Sequence, residues 1–314
     1  MKKLVILGGI IAIFLLGLFI WWQSGMGAPD PRNTEEALFV VTKGAGPREV
    51  GNDLKEQGFI KDPVVFFLYV KKEGLDTEIQ AGSHYLSPAM TLPEVLAALQ
   101  HGTVDIWVTI PEGYRSEQIA ETLAENVENY DESWSSTLKE HEGFLFPDTY
   151  LISRDAHIEA VIEVMRGNFN TKLQKAGINP NDPDILDIVT MASLIEREAI
   201  TDEEKPMIAS VIANRLNDGM GLDIDATLQY ITGTSGAWWE VPTGEERAID
   251  SPYNTYRYPG LPPGPIANPG IEAIKAAVNP ASSPYYYYIH APSGESHFAE
   301  TLTEHNVNIE KYLN

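Results

Sequence analysis

The segment ILDIVTMASLIEREA, residues 185–199, has the apolar periodicity of a helix that packs against a core. Helical residues advance by about 100° each, so one apolar stripe forms within about 80° of Ile185. Glu196 falls at roughly 20°, inside the stripe, whereas Glu198 falls at roughly 220°. The segment therefore predicts a core helix on which Glu196 points inward and Glu198 is a solvated charge beside Asp187. The stripe consists of Ile188, Val189, Ala192, Ile195 and Ala199.

The inward position of Glu196 has two interpretations. A buried carboxylate is costly unless it is paired, hydrogen-bonded or protonated. Partial burial raises the pKa of a carboxyl group, which suits a general acid. Alternatively, Glu196 forms an ion pair with a buried arginine such as Arg215 on the next helix. Periodicity alone leaves both interpretations open.

Residues 140–314 read as a helix-rich α+β domain around this segment. A capping box of Thr201 and Glu204 precedes one helix, and Gly219 ends it. Six prolines in residues 249–270 exclude a regular helix or a central strand, and the tyrosines among them favour an ordered loop. Residues 285–289 predict a buried strand. Further helices are predicted at 158–173, 203–217 and 226–231.

The amino terminus predicts a membrane anchor. Residues 4–22 contain no charge, follow Lys2 and Lys3, and would cover about 28 Å as a helix. The lysines predict a cytoplasmic stub at residues 1–3 and place the rest of the chain outside the cell membrane. A cleavable signal peptide is the alternative, with a small-residue site near Ala28. The length of the apolar run and a terminal Trp pair favour a retained helix.

Residues 23–37 are rich in Gly, Pro and polar side chains and predict a linker. Residues 38–139 contain one pattern twice, with an offset of 69 residues. In each copy a short β-branched strand ends at a Gly, and apolar residues spaced by four follow. The copies predict two strand–turn–helix segments in one small α/β module.

The composition excludes several classes of function. A net charge of -23 argues against nucleic acid as a partner. The chain has no cysteine and no HExxH motif, and its seven histidines are scattered. We therefore expect no metal and no cofactor.

Five motifs carry a family resemblance. EGFLFPDTY at 142–150 and ASLIERE at 192–198 resemble signatures of the MltG-type (YceG-like) family of endolytic murein transglycosylases. NRL at 214–216, SPYNTY with GLPPGPI and NPG between 251 and 270, and HF with EHN between 297 and 306 are similar to its other motifs. The motifs run in the family's order.

The resemblance implies a transmembrane helix, a LysM-like α/β module and a helix-rich α+β catalytic domain. It implies cleavage of the MurNAc–GlcNAc β-1,4 bond within glycan strands, leaving 1,6-anhydro-MurNAc ends. The family's catalytic glutamate is the first in the helix motif, which here is Glu196. One carboxyl group suffices because the C6 hydroxyl of the sugar is the nucleophile.

Weaker roles are implied for five further residues. Glu142, Asp225, Asn254, Thr255 and Tyr256 are predicted substrate contacts, with Glu142 a second acid or only a turn residue. Asp225 could instead cap the helix at 226–231, and the Pro-rich loop could simply pack on the domain.

Two stretches do not match the motifs of the family. Residues 222–225 read LDID where the family has Leu-Gln-x-Asp, so Asp223 replaces an amide. Residues 233–246 match no family motif, and Trp238 and Trp239 within them could stack on sugars or pack internally.

The expected partners are peptidoglycan glycan strands, the cytoplasmic membrane and cell-wall synthases, with the catalytic domain outside the membrane. The expected role is to terminate the elongation of nascent strands. Two other functions stay open. A hydrolytic muramidase would need a second carboxylate near Glu196, and a peptidoglycan-binding scaffold would need no catalysis.

Overall fold

The computed structural model describes residues 2–100 and 104–313. Met1 of the predicted stub and residues 101–103 of the predicted module lie outside that range. The chain forms two compact units, Met1–Val108 with Tyr150–Asp155, and Thr109–Thr149 with Ala156–Asn314. This division differs from the boundary expected at residue 140. The domain 140–314 stays a prediction, as does the LysM-like character of 38–139.

The first unit combines helices with a four-stranded sheet of order β1-β2-β3-β4. β1 and β2 are antiparallel with Leu38 opposite Tyr85, and β2 and β3 are also antiparallel. The elements are α1 (Lys2–Met26), β1 (Ala37–Val41), α2 (Pro47–Glu56), α3 (Pro63–Glu73), β2 (Gly82–Leu86), α4 (Leu92–Gln100), β3 (Asp105–Thr109) and β4 (Thr149–Ser153).

α1 is long and apolar enough to cross a membrane over Gly8–Met26. It continues four residues beyond the predicted end, so the first part of the expected linker is helical. Trp22 and Met26 pack against the core of the first unit, which includes Phe39, Leu54 and Phe66. The helix is therefore joined to this unit by packing as well as by the chain.

The second unit contains eight α-helices, one 3₁₀ turn and a two-stranded hairpin among its described residues. Both predicted strand–turn–helix segments are present, β1 with α2 and β3 with α5, although α5 belongs to the second unit. The elements are α5 (Ser116–Asn126), α6 (Ser133–Lys139), α7 (Ile158–Lys175), α8 (Ile185–Glu198), α9 (Lys205–Asn217), α10 (Asp225–Thr232), a 3₁₀ turn (Glu246–Ala248), α11 (Ile271–Val278), β5 (Tyr287–His290), β6 (Ser296–Ala299) and α12 (Leu302–Tyr312).

α8 lies at the centre of the second unit. Val189, Ala192 and Ile195 of its stripe are fully buried among residues of α9, α11 and the Pro-rich loop, and Ile188 and Ala199 are partly buried at the edges. The Pro-rich loop has no regular helix or strand, as expected, and Ile266 within it is buried. The core thus holds the carboxyl-terminal turn of α8, with its glutamates, in a fixed place.

Two local expectations were wrong. β5 is only half-buried, because it forms an antiparallel hairpin with β6 and has no second neighbour among the described strands. The capping box before α9 is half formed. The backbone N–H of Thr201 donates to the Glu204 carboxylate at 3.0 Å, but the helix begins later, at Lys205.

Candidate active site

The last turn of α8 carries the charged motif, and the Pro-rich loop is fastened to the same helix. The Ser193 hydroxyl donates to the Thr190 carbonyl at 2.7 Å and accepts the Ile266 backbone N–H at 3.0 Å. All three residues are buried. A buried serine bonded on both sides fixes the loop against the helix, because breaking either bond would leave a buried polar group unpaired.

Glu196 points inward, as the periodicity predicts. Its side chain is 9% exposed and accepts bonds from Lys205 Nζ at 3.1 and 3.3 Å and from the Gly270 backbone N–H at 2.9 Å. The expected arginine is not the partner, because Arg215 donates to backbone carbonyls, among them those of Tyr286 and Leu222. Glu196 is thus a paired and hydrogen-bonded carboxylate.

Lys205 is a buried cation that serves two acids. Its ammonium group lies 2.7 Å from Asp202 as well as beside Glu196. Burial lowers the pKa of Lys205, but the hydrogen bond that Lys205 donates to Asp202 and the charge of Glu196 outweigh it, so the pKa is raised overall. Lys205 therefore stays a cation paired with both acids.

Glu112 completes this cluster and was missed from sequence. Burial, followed by the charge of Glu196, raises the pKa of Glu112. A Cβ on Gly270 would lie 2.0 Å from Glu112 Oε1, so a side chain there would displace the Glu112 carboxylate. In the sequence, the Gly that ends the NPG motif was a signal of this contact, because Gly270 lets the Glu112 carboxylate approach the backbone closely.

Glu198 contradicts the expectation of a solvated charge. Tyr288 of β5 donates its hydroxyl to Glu198 Oε2 at 2.6 Å. Burial raises the pKa of Glu198; the Tyr288 bond opposes this rise and the charge of Asp225 adds to it. The helix wheel placed Glu198 away from the stripe correctly, but the hairpin at the carboxyl end of the chain covers that face.

Glu198 lines a polar cavity of about 350 Å³, within the range of small-molecule sites. Asp225 and Tyr256 line it too, and the Tyr256 hydroxyl donates to Asp225 Oδ1 at 2.6 Å. The predicted capping role of Asp225 was wrong, because Asp225 is the first residue of α10 and its side chain makes no cap. The other lining residues are Arg215, Leu222, Asp223, Tyr287, Tyr288, Leu302 and His305.

Asp223 has a left-handed backbone, with φ of 52°, unlike every other non-glycine residue in the described ranges. Aspartate tolerates this conformation better than most residues. Its carboxylate lies 3.8 Å from Arg215, which holds the Gly221 and Leu222 carbonyls. The chain therefore turns sharply at Asp223, beside the cavity, and α10 begins two residues later at Asp225.

His305 of the EHN motif and Tyr287 also line the cavity. Their rings stack at 5.2 Å, and burial together with the charge of Arg215 lowers the pKa of His305. The cavity therefore has aromatic lining residues as well as carboxyl groups.

The sequence of the chain matches that of a known protein family. The model of the YceG-like family matches residues 39–311. The chain belongs to the YceG-like family.

Three similar proteins support this membership. A protein of Bacillus subtilis named endolytic murein transglycosylase is 31% identical over 95% of this chain and 90% of its own length. A Streptococcus pneumoniae protein of the same name is 29% identical, and the match covers 97% of this chain but 64% of that longer protein. The crystal structure of a putative YceG-like protein from Listeria monocytogenes has a TM-score of 0.55 and 30% identity, covering 87% of this chain and 98% of that one.

Two predicted substrate contacts of this YceG-like chain are buried. The Asn254 amide donates to the Arg247 and Ile249 carbonyls and accepts the Tyr256 N–H. The Thr255 hydroxyl accepts the Ile224 N–H at 3.0 Å. Their polar atoms are used within the protein, so the geometry supports a positioning role behind Tyr256 rather than direct contact.

Glu142 of the EGFLFPDTY motif is also buried and does not line the cavity. Its carboxylate accepts from the Ser116 N–H and hydroxyl, the Asn268 amide and the Tyr230 hydroxyl. Burial raises the pKa of Glu142 to about 7, although the Ser116 bonds oppose this. Glu142 thus joins α5, α10 and the NPG loop, and its predicted role as a substrate contact lacks geometric support.

The unmatched stretch at 233–246 packs on α5. Trp238 donates its indole N–H to Glu121 at 3.0 Å, and Trp239 donates to Gln118 at 2.9 Å. The Arg197 guanidinium lies 3.9 Å from the Trp239 ring centre. These contacts favour the packing interpretation of the two tryptophans over a sugar platform.

Proposed function

We propose that the chain is a membrane-anchored endolytic lytic transglycosylase. It would cleave the MurNAc–GlcNAc β-1,4 bond within peptidoglycan strands and leave 1,6-anhydro-MurNAc ends. The activity in the names of its relatives supports the enzyme class and the substrate. The observation that carries the proposal is a polar cavity lined by Glu198, whose pKa is raised by burial.

Glu198 is better suited than Glu196 to act as the general acid. A general acid must hold a proton near neutral pH, and burial beside Asp225 favours the protonated form of Glu198. Glu196 instead accepts hydrogen bonds from Lys205 and the Gly270 backbone N–H, and it is not among the residues that line the cavity. The catalytic assignment of Glu196 stays a prediction, and the same experiment tests both residues.

The mechanism uses one carboxyl group twice. Protonated Glu198 donates to the glycosidic oxygen while the bond from C1 to that oxygen breaks. The Glu198 carboxylate then accepts the proton of the C6 hydroxyl while the oxygen of that hydroxyl forms a bond to C1. The leaving strand keeps the first proton and Glu198 regains the second, so no water is consumed.

The anchor part of the proposal rests on α1. Trp22 and Met26 pack against the first unit, and Ala28 at the small-residue site is buried, so cleavage there would uncover part of the core. Retention of α1 with the lysines inside places the catalytic cavity outside the membrane. There the enzyme would terminate strands made by cell-wall synthases, its proposed partners.

One observation favours hydrolysis as a second candidate. Asp225 lines the same cavity as Glu198, and two carboxyl groups with water between them are the machinery of an inverting glycosidase. The cavity could therefore admit water as the nucleophile in place of the C6 hydroxyl. The product decides between the two reactions.

The test is digestion of purified peptidoglycan, with mass spectrometry of the products. We expect anhydro ends, and we expect Glu198→Gln to reduce the rate about 10²–10⁴-fold because the amide has no proton to transfer. Glu196→Gln is the matched variant on the same helix turn. Reducing ends would establish hydrolysis. A large loss in Glu196→Gln with near-normal activity in Glu198→Gln would return the acid role to Glu196.

A further inference from the structure

The end of α1 is fixed to the start of α3. The Trp21 indole N–H donates to Asp62 Oδ2 at 2.8 Å, and Asp62 also caps α3 through the backbone N–H groups of Val64 and Val65. A Cβ on Gly25 would lie 2.6 Å from Val65 Cγ2, so the two helices touch closely. The point at which α1 would leave a bilayer is therefore also the point at which α3 begins.

α3 has two apolar faces, and only one is covered. Val65, Phe66 and Val70 are buried in the core of the first unit. On the other side, Val64 is 54% exposed and Leu68 is 41% exposed. Phe67 lies between them at the spacing of one helical stripe. A soluble unit would gain nothing from this stripe, whereas an apolar stripe suits the boundary between lipid head groups and acyl chains.

Basic side chains border the stripe. Residues 43–73 carry six Lys and Arg against five Asp and Glu, in a chain with a net charge of -23, and Lys72 pairs with Glu73 at 2.7 Å. Lys61, Lys72 and Arg48 are exposed. The Arg48 guanidinium lies 4.7 Å from the Phe67 ring centre, at a groove of about 320 Å³ lined also by Asn52, Pro63 and Val64. A cation above an apolar groove is suited to a lipid phosphate.

We propose that this face of α3 lies on the surface of the membrane that α1 spans, and that its cations bind phosphate groups of anionic lipids. The α3 face comprises Val64, Phe67 and Leu68, with Arg48 at the Phe67 ring and Lys72 one helical turn after Leu68. This inference rests on the proposed retained anchor. Trp21 gives the level of contact, because tryptophan favours the interface and its indole is bonded to the first turn of α3.

The test uses the absence of cysteine in the chain. Leu68→Cys in the full chain, labelled with an environment-sensitive dye, is placed in nanodiscs that contain phosphatidylglycerol. We expect a blue shift and several-fold quenching by lipids that carry a nitroxide at the head group. Tyr85→Cys is the matched control, since Tyr85 is 53% exposed on the outer face of the sheet, and its label should behave as in water.

Leu16→Cys, within α1, separates this inference from the anchor. If the Leu16 label is not quenched by lipids nitroxide-labelled deep in the acyl chains, the anchor itself has failed. If it is quenched and the Leu68 label stays water-like, the proposed α3 contact is wrong. Arg48→Gln with Lys72→Gln should remove the difference between phosphatidylglycerol and phosphatidylcholine nanodiscs. A Leu68 label that responds to soluble glycan fragments without lipid would instead make the groove a sugar site.

Discussion

At the scale of single residues, the two glutamates of the α8 motif differ in what faces them. Lys205 and a backbone N–H donate hydrogen bonds to Glu196, whereas burial and Asp225 oppose the charge of Glu198. Removing the Asp225 charge should therefore change the titration of Glu198.

Asp225→Asn tests this for Glu198. Without the Asp225 charge the pKa of Glu198 falls, so the protonated acid is lost at lower pH and the alkaline limb of kcat/KM moves to lower pH. Asp223→Asn is the control, because Asp223 lines the same cavity and asparagine tolerates its left-handed backbone. An alkaline limb that stays in place in Asp225→Asn would show that Glu198 is not the acid.

Glu142 gives a stability prediction with a defined sign. Its pKa is raised to about 7 by burial, so between its ordinary value and about pH 7 the folded chain holds a proton that the unfolded chain releases. This contribution is present below the ordinary pKa and is lost as pH rises through about 7. Relative to wild type, Glu142→Gln should gain on the order of 3 kcal/mol in free energy of unfolding from about pH 5 to pH 8.

Thermal melts of the two proteins across this range measure the difference. Glu117→Gln is the control. Burial raises the pKa of Glu117, but the hydrogen bonds from Arg115 and Lys139 outweigh burial and lower this pKa to about 2. Glu117 is therefore ionised throughout the range. The difference between Glu117→Gln and wild type should be flat with pH. A flat difference for Glu142→Gln as well would show that Glu142 is ionised in the folded chain.

At the scale of elements, the site depends on how closely the EGFLFPDTY loop approaches α8 and the Pro-rich loop. Gly143 has φ of 84°, and a Cβ there would lie 2.4 Å from Pro265 Cγ and 2.9 Å from Val189 Cγ1. The contact joins three segments that are far apart in sequence. Any side chain at Gly143 must therefore push them apart.

Gly143→Ala should be destabilising through two effects, the left-handed backbone and this clash. Gly177→Ala is matched, with φ of 76° and nothing within 4 Å of its Cβ, so it reports the backbone effect alone. We expect about 1 kcal/mol for Gly177→Ala and about 1–3 kcal/mol more for Gly143→Ala, measured by urea unfolding. Equal losses would mean that Pro265 moves aside at no cost.

At the scale of the whole molecule, the compact units predict which fragments fold. α5 buries Ile119 and Leu123, and Ser116 at its start holds the buried Glu142. Residues 109–314 should therefore melt cooperatively, whereas residues 140–314, which lack α5 and α6, should melt at lower temperature or without cooperativity. Calorimetry of the two fragments measures this. Equal cooperative melts would support the boundary at residue 140 instead.

The sequence by itself determined the features that depend on local pattern. The long apolar run predicts α1, and the 3.6-residue periodicity predicts α8 with Glu196 facing inward, because both are properties of a single helix. The absence of a regular helix or strand in the Pro-rich loop is also predicted by the sequence, since proline disrupts both.

Only the tertiary structure decided what faces each side chain. Lys205 rather than Arg215 pairs with Glu196, and Tyr288, ninety residues along the chain, covers Glu198. Asp225 is the first residue of α10 rather than its cap, and Tyr256 of the Pro-rich loop donates to it at the cavity. A helix wheel gives the direction of a side chain but not its neighbour. Neighbours are contributed by distant segments, and they set the burial and charge on which the chemistry of a carboxyl group depends.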